Sequence, residues 1–167
     1  MPEQGTRERA KRDLAEGRKP STAAGEFVRE EMEHIRQGKH GARSPKQAIA
    51  IGLSKARRAG VPLKPPAPGR TSERTRRSAE RAYEEGQGRR TPRAPSARRG
   101  RAIERALERE PRSSASRAAL ASQARGAARR RSAGDRSRAA RVGAATKGPR
   151  ERSSAAKKAA ATRRRAR

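Results

Sequence analysis

The residues best equipped for chemistry in this chain are its cations. Among 167 residues there are 46 lysines and arginines against 17 aspartates and glutamates, a formal net charge of +29. The densest groups lie late in the sequence: Arg129, Arg130 and Arg131; Lys157 and Lys158; Arg163, Arg164 and Arg165. A second set flanks one early segment: Lys39 and Arg43 before it, Lys46 at its start, and Lys55, Arg57 and Arg58 near its end. Groups of this kind neutralise phosphates and release the counterions condensed on a polyanion. From Gln87 onward 26 basic residues face only 5 acidic ones. Such an excess repels itself unless a polyanion neutralises it, and DNA, RNA or an anionic membrane surface would serve. A composition rich in Ala, Arg, Gly and Pro, as a GC-rich genome encodes, accounts for arginine over lysine. It leaves the scarcity of acids after Gln87 unexplained.

Other chemistries find little support. With no cysteine there is no disulfide, no thiolate nucleophile and no Cys-ligated metal. His34 and His40 do not face each other on helical spacing, and no further soft ligand completes a set, which argues against zinc. Glu30 and His34, four apart, read as a surface pair. No nucleophile elbow, phosphate-binding loop or dinucleotide fingerprint occurs, so a non-enzymatic protein without cofactor is expected. The two aromatics, Phe27 and Tyr83, are too few for a base-stacking platform, which favours backbone-dominated binding of duplex. No apolar run is long enough to span a membrane, and the first residues lack an apolar signal core. A soluble, cytoplasmic, nucleoid-located protein is the expectation.

The element that positions the early cations is the stretch Ser44–Gly60. Ser44 and Gln47 form a capping box, and Pro45 occupies the first helical position. Ile49, Gly52, Leu53 and Ala56 make one helical stripe, Gly60 is a left-handed stop, and Pro62 prevents continuation. A preceding helix, capped by Ser21 or Thr22 and running to about Gln37, carries Ala24, Val28, Met32 and Ile35 on one stripe with Phe27 beside it. The two make a helical hairpin whose core is thin. It calls for a third helix or for self-association through Val28, Met32, Ile35, Ile49 and Leu53.

Leu, Ile, Val and Phe make up only 13 residues, below the ~20% at which disorder becomes the default reading. The expected fold is therefore mostly α with extensive disorder: a small N-terminal helical hairpin followed by a low-complexity Arg/Ala-rich tail. Residues 1–20 read as a polar arm with a short helix from Thr6 to Glu16, and 21–60 as the hairpin. Residues 61–71 read as a Pro-rich linker, 72–131 as isolated short helices, and 132–167 as a disordered basic tail.

Gly25–Glu31, Gly38–Gly41 and above all Ser44–Gly60, SPKQAIAIGLSKARRAG, resemble a family of small basic bacterial proteins of unassigned function that share a K-Q-A-I-A-I-x-L-S-x-A-R-x-A-G helix. The resemblance covers roughly a quarter of the chain. It implies no catalytic or binding residues, and members are described as hypothetical or DNA-binding. The remainder is similar to bacterial histone-like and linker-histone tails in composition only. The expected activity is largely sequence-nonspecific binding of duplex DNA by phosphate neutralisation, in a histone-like, nucleoid- or plasmid-associated role. An RNA- or ribosome-associated protein, or an adaptor that uses the hairpin, is the alternative.

Overall fold

In the computed structural model, residues 2–92, 96–146 and 148–165 are described, and every regular element among them is helical. The α-helices are α1 Gln4–Ala15, α2 Pro20–Arg36, α3 Pro45–Arg58, α4 Glu73–Gly86, α5 Ala97–Glu108, α6 Arg117–Arg129, α7 Ala133–Thr146 and α8 Pro149–Arg165; a 3-10 turn spans Arg112–Ala115. The chain divides into two compact units, Met1–Gln123 and Ala124–Arg167.

The expected hairpin is present as α2 and α3. Ser44 accepts from the Gln47 amide, and the Gln47 side chain accepts from the Arg43 amide, one residue before the partner that a standard capping box would use. Gly38 and Gly60, just beyond the two helices, adopt φ of 78° and 93°, the left-handed stops that their positions called for. The first two helices start two or three residues earlier than expected, with Glu3 and Lys19 at their N-cap positions. Helix α2 opens on Pro20 at its first turn, where the missing N–H costs nothing.

The hairpin has packing partners within the chain. One side of it packs on α1: Phe27 is buried with Ala10, Ala23, Ala24, Ala56 and Val61, and Leu14, Leu53 and Leu63 close around them. On the other side Met32 and Ile35 are buried with Ala42, Ala48 and Ala115, flanked by Val28, Ile49 and Leu120. Each large side chain so buried contributes ~1.5–3 kcal/mol before entropy. Of the stripe offered for self-association, Met32 and Ile35 are buried within the chain, while Val28, Ile49 and Leu53 are half-buried beside α1, the 3-10 turn and the start of α6.

Small residues make this packing possible. An added Cβ on Gly52 would lie 2.7 Å from the Val28 Cα and 3.0 Å from the Phe27 carbonyl oxygen, so α3 crosses α2 nearly backbone to backbone. Gly86, at the end of α4, sits so close to the Arg57 carbonyl that no side chain fits there. Helix α4 is therefore not isolated. It docks on the end of α3, with Arg58 paired to Glu85 at 3.2 Å and the Gln87 side-chain Nε2 donating to the Gly60 carbonyl. The Pro-rich segment is tied down as well, since Val61 is buried and Arg57 donates to the carbonyls of Leu63 and Lys64.

The expectation of extensive disorder and a disordered tail is overturned, because α7 and α8 carry regular helix through the described residues up to 165. The low content of large apolar residues measures capacity to build a core, not capacity to form helix. Ala, Arg and Lys rank among the best helix formers and need no core for it. Ser132 caps α7 through the Asp135 amide, Pro149 opens α8, and the 17 residues of α8 exceed the length at which isolated helices are marginal.

Two substitutions separate crowding from propensity. Gly25 in α2 has no neighbour within 4 Å of an added Cβ, so Gly25→Ala should raise unfolding stability by up to ~1 kcal/mol in a urea titration. Gly52→Ala gains the same propensity but must separate α2 from α3, and should show a net loss of about 1–2 kcal/mol. Arg57→Ala, which frees two carbonyls of the Pro-rich segment, should lower stability by about 1.5–3 kcal/mol in the same assay.

Candidate nucleic-acid interface

The cations fall into two classes according to what already neutralises them. In the first unit most of those singled out by sequence have partners within the chain. Lys39 pairs with Glu3 at 3.4 Å and Arg43 with Glu110 at 3.4 Å. Lys55 is held by Glu31 at 2.6 Å, and Arg58 by Glu85. Arg57 is buried, and burial lowers its pKa from the ordinary arginine value while two carbonyls accept from its guanidinium. Lys46 is exposed, on the rim of a cleft of about 460 Å³ between α3 and α4.

That cleft brings together groups far apart in sequence. Ile49, Leu53 and Ala79 are among its apolar lining, and Lys46 and Arg74 stand with Thr71, Thr75 and Ser78 among its polar lining. A second depression is lined by Arg36, Arg112 and Arg117 with Ser116. Sequence reasoning singled out neither Arg74 nor the Arg36–Arg112–Arg117 group. Their proximity depends on docking of α4 and the 3-10 turn onto the hairpin.

In the second unit the balance reverses. Residues 124–167 contain 16 basic residues and two acids, Asp135 and Glu151. Arg129, Arg130 and Arg131 are exposed at the end of α6, where the helix dipole also favours cations. Lys157, Lys158, Arg163 and Arg164 are exposed on α8, which also carries Arg165. Among the described residues no ion pair joins a cation of this unit to an acid. At about 100° per residue, Arg150, Lys157, Lys158 and Arg164 fall within an arc of about 120° on α8, so one face of the helix is a cationic stripe. Lys157 and Arg164 indeed line a common groove with Ala160 and Ala161.

The histidines require a correction. Helix α2 ends at Arg36, and His40 folds back from the following loop, placing the two rings edge to face with centroids 6.3 Å apart. Their helical spacing was the wrong guide because only His34 is on the helix. The Glu31 carboxylate joins them, with one ligand atom from each of the three residues within 4.8 Å of the others. Glu3 closes the outer side. Its carboxyl is held below the usual range, first by the hydrogen bond to His34 and then by that to Lys39. Glu30 is buried rather than a surface partner of His34, and Glu3 donates its backbone N–H to it.

No helix among the described residues is long and apolar enough to cross a membrane. Neither a curated protein nor a solved structure matches the chain. A model of a family of unknown function, DUF6496, matches residues 19–66, which contain α2, α3 and the loop that carries His40.

Proposed function

We propose that the protein is a non-enzymatic binder of duplex nucleic acid, DNA foremost, that acts by neutralising phosphates with little sequence preference. The carrying observation is the uncompensated charge of the second unit. The cations whose side chains are described there are solvent-exposed and most lie along helices, and among the described residues none is spent on an internal ion pair. An array of this kind gains most by displacing counterions from a polyanion. Regular helices hold the charges in register before contact, so the ordering cost of binding is smaller than a disordered tail would meet.

The aromatics support backbone contact over base stacking. Phe27 is buried in the core and Tyr83 is half-buried on α4, so no stacking surface accompanies the cations. Base-reading side chains are scarce too: Gln47 serves its helix cap. The role this suits is histone-like, nucleoid- or plasmid-associated. In the first unit Lys46, Arg74 and the Arg36–Arg112–Arg117 group supply further phosphate contacts, while Lys55 and Arg57 hold the fold.

The test is a duplex titration at several salt concentrations. For Z phosphates neutralised, log K should fall against log[salt] with a slope of about −0.9Z. Replacing Lys157, Lys158, Arg163 and Arg164 by glutamine should leave helicity unchanged and reduce the slope by about 1 per lost contact. A flat salt response, or a slope identical in the variant, would remove this reading.

A further inference from the structure

We propose that Glu31, His34 and His40 form a binding site for a single divalent transition-metal ion of the zinc type, leaving one coordination position to water. Two imidazoles and one carboxylate are a known three-ligand set for zinc, a borderline ion that takes nitrogen and oxygen donors in tetrahedral geometry. The three ligand atoms already lie within 4.8 Å of one another.

The second observation concerns the buried carboxylate. Glu31 is fully buried, and its two oxygens have different fates. Lys55 donates to Oε2 at 2.6 Å, while Oε1 has no hydrogen-bond partner. The atom opposite Oε1 is His40 Nε2, 3.4 Å away. His40 Nδ1 lies 3.1 Å from the Gly41 carbonyl, which can only accept, so Nδ1 carries a proton. In the neutral ring Nε2 then presents a lone pair to a carboxylate lone pair, an arrangement that needs a cation between them. A proton on Nε2 fits poorly, because 3.4 Å exceeds ordinary N–H···O lengths of about 2.9–3.0 Å. A metal ion fits: bonds of about 2.0–2.1 Å to tetrahedral ligands place neighbouring donor atoms about 3.3–3.4 Å apart.

The surroundings match those of ligating side chains. A histidine that binds a metal donates its other ring N–H to a carboxylate or a backbone carbonyl, and a ligating carboxylate is itself hydrogen-bonded. His34 meets Glu3 through Nε2 at 3.0 Å, His40 meets the Gly41 carbonyl, and Glu31 meets Lys55. Three acids gather around this corner, Glu3, Glu30 and Glu31, against two lysines, Lys39 and Lys55. Bound, the ion would join the loop after α2 to the helix body.

The experiment uses the untagged full chain, freed of metal by chelation, and Co²⁺ followed by Zn²⁺ as probes. The expected result is one Co²⁺ per chain with the visible absorption of a four-coordinate nitrogen–oxygen site, displaced by one Zn²⁺, and a melting temperature raised by Zn²⁺ but not by Mg²⁺. His34→Gln and His40→Gln, checked for helicity, should each weaken Zn²⁺ at least tenfold, and Glu3→Gln, which removes an orienting partner, by about 10–100-fold. Absence of both the Co²⁺ absorption and the Zn²⁺ melting shift in the unaltered chain would overturn the site, whatever the variants do. So would Zn²⁺ affinity unchanged in both histidine variants.

Discussion

Helices α2 and α3 meet through backbone at Gly52, and the first unit depends on that approach. Val28 and Phe27 fill the space a side chain would take, so the two helices lie close enough for alanines to complete the core. A chain with so few large apolar residues cannot bury itself by bulk. It does so by bringing backbones together, which lets Phe27, Ile35 and Met32 reach full contact with small neighbours. Gly86 repeats the device where α4 meets the Arg57 carbonyl, and the same contact fixes the end of the Pro-rich segment.

Charge follows the same division of labour. Fifteen of the 17 acids lie in the first unit, where they hold Lys39, Lys55, Arg43 and Arg58 in internal pairs. Most of these pairs are exposed on at least one side and add little stability each. Their consequence is electrostatic: the 15 acids of the first unit offset half of its 30 cations, so cationic charge is densest, though not larger in sum, in the second unit. The Glu31–Lys55 pair, whose carboxylate is fully buried, borders the histidine cluster and leaves one carboxylate oxygen unsatisfied.

Local signals were legible in the sequence. The Ser44–Gln47 cap, Pro45, the stops at Gly38 and Gly60 and the apolar stripes of α2 and α3 are each fixed by neighbours within a few residues. Long-range approaches were not. Nothing near Gly86 reveals that Arg57 lies against it, and nothing near Arg36 reveals Arg112 and Arg117. His40 was misread because it was projected onto a helix that ends at Arg36. The tail was misread for a different reason. Scarcity of Leu, Ile, Val and Phe limits tertiary structure, whereas the Ala/Arg/Lys composition of α8 favours local helix. The cationic character of Lys157, Lys158, Arg163 and Arg164 was plain from the residues; that they are arrayed on a continuous helix was not.

In this proposal most of the affinity falls to the second unit and most of the architecture to the first. The most direct measurement compares duplex binding, at physiological salt, by the full chain and by a chain ending at Gln123. Loss of most of the affinity, with the helicity of the first unit retained, is the result that this division of roles predicts. Equal affinity of the two chains would contradict it.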